Sequence, residues 1–139
     1  MIAAAAKIES IKAVATIGAP ADPQHVTHLF NEDLEKIEEE GRAEVNLAGR
    51  SFTIGKRFIT DLKGHDQVSI IKALRDVDVL IMHSPEDSVV NIENAGIIYS
   101  ALSHPKSFVS LAKADHLLTK AEDAEYVVDL IRAWVKRVI

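Results

Sequence analysis

The second half of the chain alternates between short apolar runs of strand length and amphipathic stretches of helical period. The strand-length segments are the apolar run at residues 78–83 and residues 106–111, and the helical stretches are residues 91–103 and the segment that follows Thr119. A similar apolar run at residues 12–18 ends in a Gly-Ala-Pro turn. Strands that alternate with helices form parallel sheets through right-handed crossovers. The sequence therefore predicts an α/β fold with three parallel strands and flanking helices.

The segment between the first and second strands, residues 22–75, has a different character. Residues 43–48 and 51–54 alternate between apolar and polar side chains around an Ala-Gly-Arg turn, which predicts a β-hairpin with one solvated face. Helical spacing is found on both sides of the hairpin, and we predict helices over residues 24–40, 57–63 and 66–74. With 139 residues the chain is predicted to be a single domain in which this segment is an insertion.

The net charge of −5 lies in one segment of the chain. Residues 31–44 contain seven acidic and two basic residues, so the rest of the chain is neutral. A protein that binds nucleic acid needs a basic surface to neutralise phosphates. The charge distribution therefore argues against nucleic acid as a partner.

The sequence contains no cysteine, and this excludes disulfides, thiolate metal sites and a cysteine nucleophile. A chain without disulfides suits a reducing compartment, and we predict a cytoplasmic location. No apolar stretch approaches the roughly 20 residues needed to span a bilayer, so no membrane association is predicted.

The loops after the second and third strands carry an acid and a histidine. Asp87 follows the run that ends at His83, and His116 follows the run that ends at Leu111. Because the carboxyl ends of parallel strands meet at one edge of a sheet, Asp87 and His116 are predicted to come within hydrogen-bond reach. A carboxylate that orients an imidazole is the acid and base part of a Ser-His-Asp triad. The alternative is that both residues have structural roles only.

Other polar residues near the strand ends are weaker candidates. His83 is interpreted as a hydrogen-bonded structural histidine, and Asp115 is too close in sequence to His116 to orient its ring well. Three residues that share a helical face lack a fourth metal ligand and are interpreted as part of a solvated helix: Asp22, His25 and His28. The spacings of phosphate-binding and dinucleotide-binding loops are absent. We therefore predict no metal and no cofactor.

Several longer motifs occur in series along the chain. They are Ala-Thr-Ile-Gly-Ala-Pro, the Ala-Gly-Arg turn, His-Ser-Pro-Glu-Asp, and His-Pro-Lys-Ser-Phe-Val-Ser-Leu followed by Ala-Asp-His-Leu-Leu. In these motifs the chain resembles the C-terminal half of an α/β-hydrolase, from the group often fused to an OsmC-like domain. The resemblance covers essentially the whole chain. It implies that Asp87 is the triad acid, that His116 is the general base, and that residues 22–75 form a lid over the site for an ester or similar acyl substrate. The shortage of aromatic residues in this lid favours a small acyl group.

The nucleophile of an α/β-hydrolase lies in a Gly-x-Ser-x-Gly turn, and the sequence contains no such motif. The first, alanine-rich helix resembles the helix that follows this turn, which implies a turn just upstream of Met1. The predicted function is serine-hydrolase chemistry with Asp87 and His116 but without the serine, and it stays open whether the chain is an enzyme alone. The alternatives are a non-catalytic interaction module and one half of a split hydrolase.

The apolar strand at residues 12–18 is predicted to have an open edge. In the family that it resembles, the strand bearing the nucleophile would be its neighbour. Open edges pair readily with other chains. We therefore predict a homo-oligomer, most simply a dimer through this strand and the first helix, or pairing with a complementary chain.

Overall fold

The structure, a computed structural model, describes residues 2–22, 27, 31–47, 49–63 and 66–139. It divides into two compact units, one formed by Met1–Ala21 with Gln67–Ile139 and one formed by Asp22–Asp66. Its elements in chain order are α1 (Ile2–Ala5), β1 (Ala13–Ile17), α2 (Leu34–Glu40), β2 (Arg42–Leu47), β3 (Arg50–Gly55), α3 (Lys56–Lys63), α4 (Gln67–Ala73), β4 (Asp78–His83), α5 (Glu93–Ala101), β5 (Lys106–Ser110) and α6 (Ala121–Val138).

The first unit contains a sheet of three strands in the order β1-β4-β5. All neighbours are parallel: Ile17 at the end of β1 pairs with Met82 of β4, and His83 at the end of β4 pairs with Ser110 of β5. The predicted α/β fold with three parallel strands is confirmed. Because the strands end in register, the loops that follow them leave from the same edge of the sheet.

The central strand β4 is buried on both faces, which is why its residues are apolar in succession. Val79 and Ile81 face one hydrophobic cluster, and Leu80 and Met82 face the other. The first cluster is completed by residues of α1, α4 and α5, among them Ile2, Ala5, Ile71, Ala95 and Ile98. The second is completed by Leu111, Ala114 and Val127, with Leu130, Ile131 and Trp134 packed against it.

Helix α6 contains 18 residues and packs one apolar face against the sheet, whereas its Tyr126 and Val128 are 52% and 53% exposed. Val127 is its buried residue, and Trp134 packs against the same cluster. In the part of the chain that the structure describes, no helix is both long enough and apolar enough to cross a membrane.

Helix α5 offers a matched pair of isoleucines for a test of the core. Ile98 is fully buried and Ile97 is 50% exposed. We expect Ile98→Ala to lower the free energy of unfolding by about 2–5 kcal/mol, because it removes buried methyl groups and leaves a cavity. Ile97→Ala should change it by no more than about 0.5 kcal/mol. Urea denaturation of the two variants measures the difference, and equal losses would contradict the placement of this helix.

The second unit is built around an antiparallel hairpin of β2 and β3, in which Val45 pairs with Phe52. The hairpin predicted from the sequence is therefore present. A small core packs against it and contains Ile37 of α2 and Ile59 of α3. Of the helix predicted over residues 24–40, the structure shows α2 from Leu34 onward, and residues 23–26 and 28–30 lie outside the described residues.

The second unit ends at Asp66, nine residues before the end of the predicted insertion at residue 75. Helix α4, which lies inside that predicted range, contributes Ile71 to the core of the first unit, and Leu74 follows it there. These residues are apolar because they cover one face of the parallel sheet.

Candidate active site

Asp87 and His116 lie side by side at the edge of the sheet where β4 and β5 end. The distance between His116 Nδ1 and Asp87 Oδ2 is 2.8 Å. An ionised carboxylate can only accept hydrogen bonds, so Nδ1–H of His116 is the donor. In the neutral ring this leaves a lone pair on Nε2, for which no partner is found among the described residues. The carboxylate of Asp87 thus fixes the orientation of the His116 ring.

The carboxylate of Asp87 is held from several directions. Its Oδ1 accepts hydrogen bonds from the amides of Val89 and Val90, both at 2.9 Å. Its side chain is 2% exposed, whereas that of His116 is 26% exposed. The acid is therefore immobile and dry, and the imidazole that it orients can be reached from solvent.

The pKa of Asp87 reflects two opposing influences. Burial disfavours the charged form and raises the pKa, but hydrogen bonds from the Val90 amide, the His116 ring and the Val89 amide favour it. Together these bonds outweigh burial, and the pKa lies below its ordinary value of 3.8. The carboxylate is consequently ionised at neutral pH.

This shift predicts a pH dependence of stability. Because the pKa of Asp87 is lower in the folded than in the unfolded chain, its ionisation stabilises the fold fully above about pH 4. This contribution is lost as the pH falls through the folded pKa. The difference in unfolding free energy between the wild type and Asp87→Asn should therefore shrink below about pH 4. For the control Asp129→Asn, on a side chain that is 76% exposed, the difference should stay small throughout.

The turn that carries His116 is stabilised by its neighbour Asp115. The Asp115 carboxylate accepts hydrogen bonds from the amides of Leu117 and Thr119 at 2.9 and 3.1 Å, and from the Thr119 hydroxyl. The Thr119 hydroxyl is the main cause of the lowered pKa of Asp115. Asp115 thus bonds to its own turn, and Asp87 is the carboxylate that contacts His116.

Thr119 does not form the helix cap that the local sequence suggests. The order Thr119-x-x-Glu122 is typical of a capping box at the start of a helix. In the structure Lys120 is the N-cap residue of α6, and no side chain caps the helix. A capping box is therefore not formed: Thr119 lies one residue before the N-cap, and its hydroxyl donates to the Asp115 carboxylate.

Gly18, the residue after β1, lies next to the Asp87–His116 pair, so the ends of all three strands contribute to this site. Its amide donates to the carbonyl of Met82 at 3.0 Å, and its φ is +55°. A Cβ atom at this position would lie 3.0 Å from Asp87 Oδ2 and 3.2 Å from His116 Nδ1. Because glycine has no Cβ atom, it leaves room for the hydrogen-bonded pair. From the sequence alone it marks only the end of a strand.

We expect Gly18→Ala to displace the pair, because the added methyl carbon would lie closer to Asp87 Oδ2 and His116 Nδ1 than ordinary van der Waals contact allows. Gly41→Ala is a matched control: Gly41 has φ +80°, with nothing within 4 Å of its added Cβ. Both variants carry the backbone strain of a left-handed alanine, on the order of 1 kcal/mol. The downfield NMR signal of the His116 Nδ1 proton should shift or vanish only in Gly18→Ala. Its persistence there would contradict the close packing.

Among the described residues no group of three or more His, Asp or Glu side chains could hold a metal ion. His25 and His28, which the sequence places with Asp22 on one helical face, lie outside these residues. His83 is buried at the end of β4, where its Nε2 lies 2.8 Å from the carbonyl of Val90. The sequence separates the members of this site by up to 98 positions, from Gly18 to His116.

No protein-family model matches the sequence. Comparison with curated proteins also finds no match. Among solved structures, the esterase domain of a Rhodothermus marinus protein is 44% identical, with a TM-score of 0.84 over 98% of this chain and 55% of that chain. Alpha/beta hydrolase domain-containing protein 10 from mouse is 20% identical, with a TM-score of 0.67 over 99% of this chain and 57% of that one. Alpha/beta hydrolase GrgF from Penicillium is 15% identical, with a TM-score of 0.69 over 99% of this chain and 59% of that chain. The chain thus spans somewhat more than half the length of these proteins.

Proposed function

We propose that this chain, which has the fold of the C-terminal part of an α/β-hydrolase, supplies the acid and the base of a serine esterase. The observation that carries the proposal is the 2.8 Å hydrogen bond from His116 Nδ1 to the buried carboxylate of Asp87, with Nε2 left unpaired on a partly exposed ring. The 44% identity to an esterase domain supports the same chemistry.

In this proposal His116 moves the protons and Asp87 stabilises the charge. Nε2 of His116 accepts the proton of a serine hydroxyl as its oxygen attacks the acyl carbonyl carbon, and Asp87 stabilises the imidazolium that forms. The imidazolium then donates this proton to the leaving alkoxide as the ester bond breaks. Water, deprotonated by the same nitrogen, hydrolyses the acyl-serine and regenerates the hydroxyl.

The 139 residues contain no Gly-x-Ser-x-Gly motif, so in this proposal another segment supplies the nucleophilic serine. We propose that a complementary segment of hydrolase domain supplies it. Among the described strands β1 has a neighbour on one side only, and a strand edge of this kind can pair with another strand. Alternatively, a second copy of the chain pairs with this edge of β1. A molar mass in solution that shows a stable monomer at micromolar concentration would contradict the predicted dimer.

A hybrid protein tests the catalytic proposal. It joins these 139 residues to the part of the Rhodothermus marinus esterase domain that they do not match. We expect the hybrid to hydrolyse p-nitrophenyl esters, and the 139-residue chain alone to do so far more slowly. A hybrid that unfolds cooperatively like the parent domain but has no activity would contradict catalysis and favour a non-catalytic module. The cytoplasmic location and the link to an OsmC-like domain stay predictions.

A further inference from the structure

His83, the last residue of β4, is a buried titratable side chain that the proposed mechanism does not use. It is 1% exposed, and its Nε2 lies 2.8 Å from the carbonyl oxygen of Val90. A carbonyl can only accept a hydrogen bond, so the proton of the ring is on Nε2. The other nitrogen, Nδ1, is buried and has no hydrogen-bond partner among the described residues. A proton on Nδ1 would be a buried, unpaired donor, which is costly. The contacts therefore select the neutral tautomer with Nε2–H.

The peptide groups of Val90 connect this ring to the acid. The Val90 carbonyl accepts from His83, and the Val90 amide donates to Asp87 Oδ1 at 2.9 Å. The hydrogen bond from the His83 ring to Val90 thus joins the first and last residues of the loop 83–90, and Asp87 lies within this loop. If the ring lost its donor, the carbonyl of Val90 would be left without this partner and the loop would be held less firmly.

The same nitrogen also faces the carboxylate directly. His83 Nε2 lies 3.5 Å from Asp87 Oδ2, the oxygen that accepts from His116. At this distance the contact is not a good hydrogen bond, but the positive end of an N–H dipole stabilises a nearby negative charge in a dry site. Asp87 Oδ2 is therefore close to two imidazole nitrogens, one from the last residue of β4 and one from the loop that follows β5. These two histidines are the titratable side chains in contact with it among the described residues.

We propose that His83 is a positioning residue, a neutral imidazole whose Nε2–H fixes Val90 and directs the carboxylate of Asp87 toward His116. The catalytic meaning of this role rests on the proposed function, whereas the role itself concerns the Asp87–His116 contact and can be measured without a substrate. His83 acts through Asp87 and touches no reacting atom.

The test compares two replacements of His83 in the 139-residue chain. His83→Gln keeps an N–H donor near the position of Nε2, and His83→Leu keeps apolar packing without a donor. We expect His83→Leu to raise the pKa of Asp87, followed by NMR of its carboxyl carbon, by about half a pH unit or more. The Nδ1 proton of His116 should exchange with water several-fold faster. His83→Gln should restore most of both properties.

Ser84→Ala is the matched control in the same loop. The Ser84 hydroxyl accepts from the amide of Glu86 at 3.0 Å, whereas the hydrogen bonds to the Asp87 carboxylate come from Val89, Val90 and His116. The variant loosens the loop without touching the His83 connection, so the pKa of Asp87 should stay as in the wild type. A shift equal to that of His83→Leu would show that any loosening of the loop suffices, and would overturn the proposal.

Two further results would overturn it: no change in the pKa of Asp87 in His83→Leu, or the same change in His83→Gln. If His83→Leu does not fold, the wild type still decides, because nitrogen-15 NMR must find the ring proton on Nε2 and not on Nδ1. An inactive hybrid enzyme would contradict the proposed function but leave these measurements standing. In an active hybrid, His83→Leu should lower kcat about tenfold with little change in KM, since the base and not the substrate is displaced.

Discussion

His116→Ala should lower ester hydrolysis by the hybrid enzyme about 10⁴- to 10⁶-fold. Without the imidazole the site loses the base that takes the proton of the serine hydroxyl, and the neutral hydroxyl is a weak nucleophile. The loss should lie in kcat, because the ring acts on the reacting proton and contributes little to ground-state binding of the ester. Steady-state kinetics with p-nitrophenyl acetate measures both parameters.

A second histidine provides the control for this variant. His104 is exposed in the loop that leads into β5, two residues before the strand begins, so it lies at the opposite end of β5 from the loop that carries His116. We expect His104→Ala to retain the activity of the hybrid enzyme. The His116→Ala variant should unfold at a temperature close to that of the unsubstituted hybrid. Activity that persists in a folded His116→Ala hybrid would contradict the role of His116 as the base.

The architecture of the first unit could be predicted largely because its central strand is apolar on both faces. Strand β4 spans Asp78–His83, as the sequence indicates, since a central strand covered by helices on both sides admits no alternation. The pairing of Asp87 with His116 also follows from topology: both loops leave the carboxyl edge of a parallel sheet. Neither inference needs the identity of the side chains that surround the pair.

The supporting contacts of the site could not be predicted, because they depend on distances between segments remote in sequence. At Gly18 a Cβ atom would lie only 3.0 Å from Asp87 Oδ2 and 3.2 Å from His116 Nδ1, whereas the sequence shows only a glycine after a strand. Thr119 matches a capping box equally well on local grounds, and only the fold reveals that Asp115 takes its hydroxyl. A local pattern describes what a residue can do, and packing selects among the options.

Asp87→Asn should lower kcat of the hybrid enzyme by about 10⁴-fold while leaving KM nearly unchanged. An amide is nearly the same size as the carboxylate, so the loop should persist, but it carries no charge to stabilise the imidazolium. Moreover, an amide group that turns its NH₂ toward His116 favours the wrong tautomer, with the proton on Nε2. The serine then faces a donor instead of the lone pair that must accept its proton.

Asp115→Asn separates this role from that of the neighbouring acid. The side-chain carbonyl oxygen that this substitution leaves at position 115 can still accept hydrogen bonds from the Leu117 and Thr119 amides, so the turn should hold and most of the activity should remain. If Asp115→Asn were as damaging as Asp87→Asn, Asp87 would not be the triad acid.

The combination of Asp87→Asn with His116→Ala tests whether the two residues act as one unit. If Asp87 works only by orienting and charging the His116 ring, its replacement has no further effect once the ring is gone. The double variant should therefore be as active as His116→Ala alone, within about a factor of three. Multiplied losses would mean that Asp87 stabilises the transition state independently of His116, which the 2.8 Å contact between them does not predict.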